Sequence, residues 1–247
     1  MTSTSLQKVL DILLLFNHAT PELTVEEISQ QIEMPTSTAY RYIRALGEKG
    51  FLEKTGSKSY RLGLRFLELS RVARGSNRDL RLIALPSMKR IADQIIETVS
   101  LMRIFDKNAI CIESIEGQQV VRVTIEQGRL QPLYAGASSK ILLAWTDEAE
   151  WETYLDQPIQ RITPNTIIDL DKYKRQLREV RKNGYALSDG EIDEGGRAVA
   201  VPLCDLHGKV IAALSIEGPS FRMTDDKIAR YLQLLQTEVQ HIQNEMR

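Results

Sequence analysis

The stretch from Thr24 to Gly63, TVEEISQQIEMPTSTAYRYIRALGEKGFLEKTGSKSYRLG, constrains this chain more than any other. Thr24 with Glu27 three residues on is a capping box, in which hydroxyl and carboxylate satisfy the orphan N–H groups of a helix start. The helix it opens buries Val25, Ile28 and Ile32, and Met34-Pro35 breaks it. A second helix begins around Pro35 to Ser37 and buries Ala39, Tyr42 or Ile43, and Leu46. It stops at Gly50, a residue suited to the left-handed conformation after a helix. Its opposite face carries Ser37, Arg41, Arg44 and Glu48, with Tyr40 alongside. Phe51 to Lys54 and Ser59 to Leu62 then flank the turn Thr55-Gly56-Ser57-Lys58, which predicts a hairpin with Lys54 and Lys58 near its tip. Upstream, Leu6, Val9, Leu10, Leu13 and Phe16 recur at helical spacing behind Ser5, a good cap, so residues 5–16 form a further helix.

Helix, helix, turn, helix and hairpin in that order make a winged helix-turn-helix, and the charge agrees. The net charge is only −1, yet residues 35–65 hold seven Lys or Arg against Glu48 and Glu53, whereas residues 79–247 hold 21 basic and 25 acidic residues. The positive charge is local, as a nucleic-acid footprint is. A helix lying in the major groove presents Arg and hydroxyl side chains to base edges while a basic hairpin grips phosphates. One isolated charged helix face is usually just solvated; the ordered set, with charge segregated on its last two elements, favours DNA. Arg41 and Arg44 are the expected groove contacts, and Ser37, Thr38 and Tyr40 the groove or phosphate contacts. Lys54 and Lys58 fall to phosphate, with Thr36 and Tyr60 in the same DNA-binding set.

At 247 residues the chain suits one small and one medium domain. No apolar run approaches the ~18 residues of a membrane span. Met1 to Thr4 is too polar and short for a signal peptide, so a cytoplasmic protein is expected. Cys111 and Cys204 sit singly in apolar runs. With only His18, His207 and His241 to join them there is no zinc spacing, which predicts buried free thiols, no metal and no cofactor.

Leu64, Phe66, Leu67, Leu69, Val72 and Ala73 give a helical stripe running to Gly75. A second follows with Leu80, Ile83, Ala84, Met88, Ile91, Ile95 and Ile96, where Pro86 kinks the helix or starts a new one. The domain boundary is placed near Gly75 to Arg78. That divides the chain into residues 1–75, which include the start of a linker helix, and residues 76–247. A helix here could bury its stripe against a second copy, fixing the spacing of two half-sites, or pack on its own second domain. Beyond it, Val99–Phe105, Ala109–Glu116 and Val120–Ile125 are expected strands, and Ser138–Trp145, Thr146–Leu155 and Asp171–Asn183 expected helices. Tyr185–Ser188, Arg197–Cys204 and Lys209–Glu217 return as strands, and Thr224 caps a last helix carrying Ile228, Leu232, Leu235, Val239 and Ile242. Strands joined by short turns predict an α+β fold, an antiparallel sheet flanked by helices.

Two places in this second domain suit a ligand. Ala135-Gly136-Ala137-Ser138-Ser139 puts small residues with free N–H groups at a helix start, where the dipole favours a carboxylate. Asp189-Gly190, Gly195 and Gly196 form a loop that can approach a ligand, and Ser215 and Glu217 share one strand face. Singly, each glycine could be a turn, Ser215 a core serine and Glu217 an exposed strand end.

MPTSTAYRYIRALGEKGFLEK followed by YRLG resembles the amino-terminal domain of the IclR (isocitrate lyase regulator) family of bacterial transcription regulators. GRLQPLYAGASSKILLAW and GYALSDGEIDEGGRAVAVPLCDLHGKVIAALSIEGP resemble the two hallmark stretches of that family's effector-binding, GAF-like domain, so the likeness spans nearly the whole chain in order. The resemblance implies a linker helix, assembly as a dimer or a dimer of dimers, and pocket roles for Gly136, Ala137, Ser188 or Asp189, Gly196, Ala198, Ser215 and Glu217. The chain departs from the family at Ser139, where Gly is frequent, at Ala198, where members binding small oxo-acids can carry Cys, and at Glu217, where a small residue is common.

The expectation is a ligand-responsive regulator that binds a pseudo-palindromic double-stranded operator, a repressor of a carbon-catabolic operon responding to a small organic or sugar acid. Glu217, if it faces the pocket, repels a bare dianion and favours a hydroxylated acid. The alternative is an enzyme acting on a small organic acid, with a winged helix used for protein contacts. Against it, no His has a nucleophile beside it, Glu191, Asp193 and Glu194 suit a solvated loop, and no Gly-rich phosphate loop occurs, so no catalytic residue is assigned.

Overall fold

Local capping and apolar spacing account for the elements of the first unit. The computed structural model describes residues 4–56, 58–74, 80–156 and 159–246, and the chain divides into two compact units, Met1–Asp79 and Leu80–Arg247. The expected junction at 75–76, Gly75 to Arg78 and Ser57 of the hairpin turn lie outside the described residues.

Helix α1, Ser5–Leu14, is capped one residue earlier than its sequence suggests. Thr4 Oγ1 accepts from the Gln7 N–H at 3.3 Å and Gln7 Oε1 accepts from the Thr4 N–H at 2.7 Å. Strand β1, Leu23–Thr24, leads into α2, Val25–Gln31, through the expected Thr24–Glu27 box, with reciprocal bonds of 3.2 and 2.7 Å. After the turn, α3 spans Thr36–Glu48, and Gly50 adopts φ 75° beyond it. Strands β2, Leu52–Thr55, and β3, Ser59–Leu62, pair antiparallel, and β1 joins β3 through Leu23↔Tyr60 and Thr24↔Ser59. Ile12, Ile28, Ala39, Ile43 and Leu52 sit in the core beneath them. Helix α4, Arg65–Arg74, leaves much of its apolar stripe in solvent: Leu67 is 69% and Val72 71% exposed.

The second unit is a six-stranded antiparallel sheet in the order β6-β5-β4-β9-β8-β7. Its strands are β4, Thr98–Phe105; β5, Asn108–Ile115; β6, Leu130–Pro132; β7, Ala186–Asp189; β8, Gly196–Cys204; and β9, Val210–Pro219. One face is covered by α5, Leu80–Ala92, and by the last helix α9, Asp225–Glu245, packed on Val99, Leu101, Val201 and Leu214. The second apolar stripe therefore packs on its own unit, with Pro86 inside the helix. The other face is covered by α6, Ala137–Ala144, α7, Trp151–Leu155, and α8, Leu170–Asn183, over Met102, Cys111, Ala200 and Ala213.

Three expectations differ in this unit. Val120–Ile125 is not a strand: Val120 is 95% exposed, and the chain crosses from β5 to β6 held by point contacts, such as the Thr98 hydroxyl donating to the Val123 carbonyl at 2.5 Å. A period of two among apolar residues fits a strand, but a strand also needs a backbone partner. Thr146–Leu155 is a 3₁₀ turn, Glu148–Glu150, followed by the short α7. Thr224 occupies the N-cap position of α9 without a side-chain bond. Of the two free thiols, Cys111 is buried and Cys204 partly so.

Glu33, in the turn between α2 and α3, adopts φ 50°. A left-handed L-residue costs ~1–2 kcal/mol, partly offset on change to Gly by the latter's entropy in the unfolded chain. Glu33→Gly is expected to stabilise the first unit by ~0.5–1 kcal/mol in denaturant unfolding. A loss of stability would overturn the assignment of strain to this turn.

Candidate functional site

Two polar surfaces stand out, one in each unit. In the first, burial of Ala39, Ile43 and Leu46 turns the opposite side of α3 outward, so Ser37, Tyr40, Arg41 and Arg44 are exposed along one helix. Arg44 Nε bonds Glu48 Oε1 at 3.0 Å, and the Arg41 guanidinium lies 5.4 Å from the Tyr42 ring centroid. Both guanidinium groups are themselves exposed, and the Arg44–Glu48 pair is a surface contact that a phosphate or a base edge can displace at small cost, while Tyr42 is half-buried against the core. Thr36 is exposed at the helix start, with its hydroxyl 3.2 Å from Ser29 Oγ, and Thr38 is half-buried. Lys54 and Lys58 are exposed on the hairpin, while Tyr60 is half-buried against the core. The structure thus brings Ser37, Tyr40, Arg41 and Arg44 onto one face and gives Thr36, Thr38 and Tyr60 packing or tethering roles as well.

In the second unit a cavity of about 60 Å³ lies between the sheet and the start of α6. Gly136, Ala137, Ser188, Gly196, Ala198 and Glu217 line it, as the sequence led one to expect. Asp189 does not: its carboxylate is exposed and lies 3.5 Å from Arg197 Nε. Ser215 lies behind the wall, fully buried, and supports Glu217 from there. Met102, Val123 and Ile125 add apolar wall, and Arg129, Gln131 and Asp193 polar wall. Met102 lies on β4, where the expected strand did not single it out; the other five come from the crossover, the short β6 and loop positions that no local pattern marks.

The helix start differs from expectation in one respect. Gly136, at φ 94°, caps α6, but its N–H is already bound, 3.1 Å from Glu191 Oε2. The first-turn N–H groups of Ala137 and Ser138 remain to face the cavity. Glu191 is buried rather than solvated. It pairs through Oε1 with Lys140 Nζ, which also donates to the Leu187 carbonyl at 2.8 Å. Burial pulls the Lys140 ammonium below its ordinary pKa while Glu191 opposes the shift.

Glu217 carries the strongest electrostatic signature. Burial pushes its carboxyl up to about 7, against the lowering effect of hydrogen bonds from Ser215 and Ser100. Its Oε2 is buried without a hydrogen-bond partner. The neighbouring Cys111 thiol is pushed up to about 12, by burial first and then by the Glu217 charge, which makes it an inert side chain. Among the described residues no cluster of three His, Cys, Asp or Glu could hold a metal, and no helix is long and apolar enough to cross a membrane.

An exposed basic helix with a hairpin in one unit, and a small polar-lined cavity in the other, are the arrangement of a regulator with a DNA-binding and a ligand-binding domain. Comparison with known proteins agrees. Residues 5–56 match the IclR helix-turn-helix domain, and residues 73–244 match the bacterial transcriptional regulator IclR C-terminal domain. The chain is 34% identical over 222 residues to the HTH-type transcriptional regulator KipR of Bacillus subtilis, covering 90% of this chain and 88% of KipR. It is 33% identical over 227 residues to the HTH-type transcriptional regulator KdgR of Escherichia coli, covering 91% and 86%. An IclR homolog from Microbacterium hydrocarbonoxydans, solved with 4-hydroxybenzoate, superposes with a TM-score of 0.84 at 28% identity, covering 99% of each chain. The chain belongs to the IclR family of transcription regulators, and with them it is a regulator and not an enzyme.

Lys140→Met leaves Glu191 buried and uncompensated, and is expected to cost ~3–5 kcal/mol in denaturant unfolding. The double change Lys140→Met with Glu191→Leu should recover part of that loss. A single variant as stable as the parent would show that the pair does not hold α6.

Proposed function

We propose that the first unit, with the beginning of the linker helix, is the operator-binding domain and that the second is the effector domain, their roles meeting at residues 75–79. The observation that carries the DNA half is the exposed row Ser37, Tyr40, Arg41 and Arg44 on α3 beside Lys54 and Lys58. Arg41 and Arg44 read base edges, Ser37, Thr38 and Tyr40 meet groove or phosphate, and Lys54 and Lys58 hold phosphate, with Thr36 and Tyr60 at the margin of the contact. The protein acts as a homodimer or a dimer of dimers on a pseudo-palindromic operator. The exposed apolar residues of α1 (Leu6, Leu10, Leu14) and of α4 (Leu67, Val72) support a second copy as the partner that covers them.

The effector is a small organic or sugar acid. Its carboxylate sits at the first turn of α6, on the N–H groups of Ala137 and Ser138, with Ser188, Gly196 and Ala198 around it and Glu217 opposite. The cavity volume equals room for roughly four waters, which favours the smaller acids of this class. The 4-hydroxybenzoate bound by the Microbacterium homolog is likewise an organic acid bearing a hydroxyl. On this reading the protein represses carbon-catabolic genes and works in the cytoplasm. The ligand regulates only through a difference in affinity for the two DNA-binding geometries.

Binding to promoter DNA of its own gene, followed by fluorescence anisotropy across salt, tests the first half. Lys58→Ala should weaken binding on all sequences and flatten the salt slope by ~1 unit, whereas Arg41→Ala should cost ~1–3 kcal/mol and relax base preference. Equal losses on operator and random DNA would refute base reading by Arg41. Leu67→Glu combined with Val72→Glu should lower the oligomeric state in sedimentation and weaken operator binding, and an unchanged assembly would remove α4 from the interface.

A further inference from the structure

Glu217 lies on β9 between Thr98 of β4 and Ala198 of β8 in the cross-strand register. Its Oε1 accepts the Ser100 hydroxyl at 2.8 Å and the Ser215 hydroxyl as well. Ser215 Oγ in turn accepts from Ser138 Oγ at 2.8 Å. Each hydroxyl has one hydrogen, so all three serines point their donors along one chain that ends on Oε1. Oε2 is left with no partner, in a residue that lines the cavity. An unpaired buried acceptor is costly, and a ligand group is the natural candidate to complete it.

The same arrangement dictates where a proton can go. Oε1 already faces two donor hydrogens, so the neutral carboxyl carries its proton on Oε2. Ionised, Glu217 offers the cavity an acceptor; neutral, it offers a donor. A ligand hydroxyl satisfies both states, because it can donate or accept. A carbonyl or a second carboxylate satisfies the neutral state alone. From this geometry we infer that Glu217 is the specificity-determining residue of the effector site, and that it favours hydroxy acids over the matching oxo acids by a margin that grows with pH. The inference rests on the cavity being the effector site.

Glu217 is the buried carboxyl of this wall, and Asp193, the other carboxylate that lines the cavity, is exposed. Thr98, Ser100 and Met102 of β4, Ala198 of β8 and Ala137 and Ser138 of α6 carry no charge. Val123 and Ile125 of the crossover are apolar, and the Cys111 thiol of β5 stays neutral. Toward the cavity mouth, Arg197 is bound to Asp189, to Asp225 at 2.7 Å and to the Met223 carbonyl at 2.7 Å. Arg129 donates to the Thr124 carbonyl at 3.1 Å, and Asp193 lines the wall. None of the three histidines lines the cavity. With the Glu217 carboxyl at about 7, the neutral fraction falls about tenfold between pH 6 and pH 8.

Calorimetry on the full chain with lactate against pyruvate, and 2-hydroxybutyrate against 2-oxobutyrate, tests this at pH 6, 7 and 8. Affinity for the oxo acid should fall about tenfold from pH 6 to pH 8, while that for the hydroxy acid changes by less than about twofold. In buffers of different ionisation enthalpy, oxo-acid binding at pH 7 should take up protons and hydroxy-acid binding should take up fewer. Glu217→Gln keeps an acceptor for the two serines and turns an N–H to the cavity at every pH. It should flatten the oxo-acid profile and raise pyruvate or 2-oxobutyrate affinity at pH 8 about tenfold. Glu217→Ser, which removes the titrating group, should also flatten the profile and serves if the Gln variant does not fold. Parallel pH profiles for the paired acids, unchanged in both variants, overturn the role of Glu217 alone. Absence of binding by every one of these acids at every pH would overturn the small-acid effector reading itself.

Discussion

The buried pair of Lys140 and Glu191 fixes how the start of α6 meets the sheet at the cavity. Lys140 stands on α6, and Glu191 lies in the loop after β7. Their contact, with the bonds from Lys140 to the Leu187 carbonyl and from the Gly136 N–H to Glu191, ties the helix start to the sheet edge. Two charges out of water are costly unless each is paired and hydrogen-bonded, and both are. The same contact takes the Gly136 N–H away from any ligand and places a carboxylate behind the helix start. What remains for an anion is the next two N–H groups, aimed at the space that Gly136 keeps open. A side chain at residue 136 would meet Gln131 Nε2 at 3.0 Å and Ile192 at 3.4 Å in a backbone conformation that L-residues rarely adopt.

The sheet of the second unit serves two cores through strict alternation. On β9, Ala212, Leu214 and Ile216 face α5 and α9, while Ala213, Ser215 and Glu217 face α6 and the cavity. On β8, Val199, Val201 and Leu203 take the first side, and Ala198 and Ala200 the second. Large side chains fill the α5–α9 side. Alanines and serines line the other, so space is left there by residue size and not by any gap in the backbone. The crossover from Glu116 to Arg129 closes that space from above. It is fastened by Thr98 to Val123 and by Arg222, which grips Glu97 with two bonds of 2.7 and 2.8 Å and donates to the Val121 carbonyl. Gly218 admits this clamp, since a Cβ there would lie 2.4 Å from Glu97 Oε2.

Much of this was written in local signals. The Thr24–Glu27 box, the Gly50 stop, the wing and the antiparallel strands flanked by glycine turns all depend on neighbours within a few residues, and sequence displays such neighbours directly. The α5 stripe showed an apolar face without showing what covers it, and the covering surface, the sheet with α9, lies far along the chain. Val120 to Ile125 misled for a related reason: Val123 and Ile125 do turn inward, at the alternation of a strand, but to a cavity wall. Glu191 was hidden among three acidic neighbours, Asp189, Asp193 and Glu194, and its burial follows from Lys140, 51 residues away. Of the cavity wall, the glycines, small residues and Glu217 were legible through strand parity and motif likeness. Arg129, Gln131 and Asp193 were not, because their positions come from how loops cross.

Glu217 also bears on how binding at the cavity could reach the rest of the unit. Its strand, like β4 and β8, takes part in both cores: Ser215 and Glu217 hold the cavity side, and Leu214 and Ile216 belong to the core beneath α9 on the other. Close-packed cores resist gradual deformation, so a change of side-chain state on one face of β9 is felt as a choice between packings on the opposite one. Helix α5 is the first element after residues 75–79, where the chain arrives from the DNA-binding unit. β9 packs on α9, and α9 in turn packs on α5. On the proposed reading, a ligand that completes Oε2 would reach α5 through β9 and α9, whereas one resting on the α6 N–H groups alone would not, so filling the cavity and shifting the regulator would be separable.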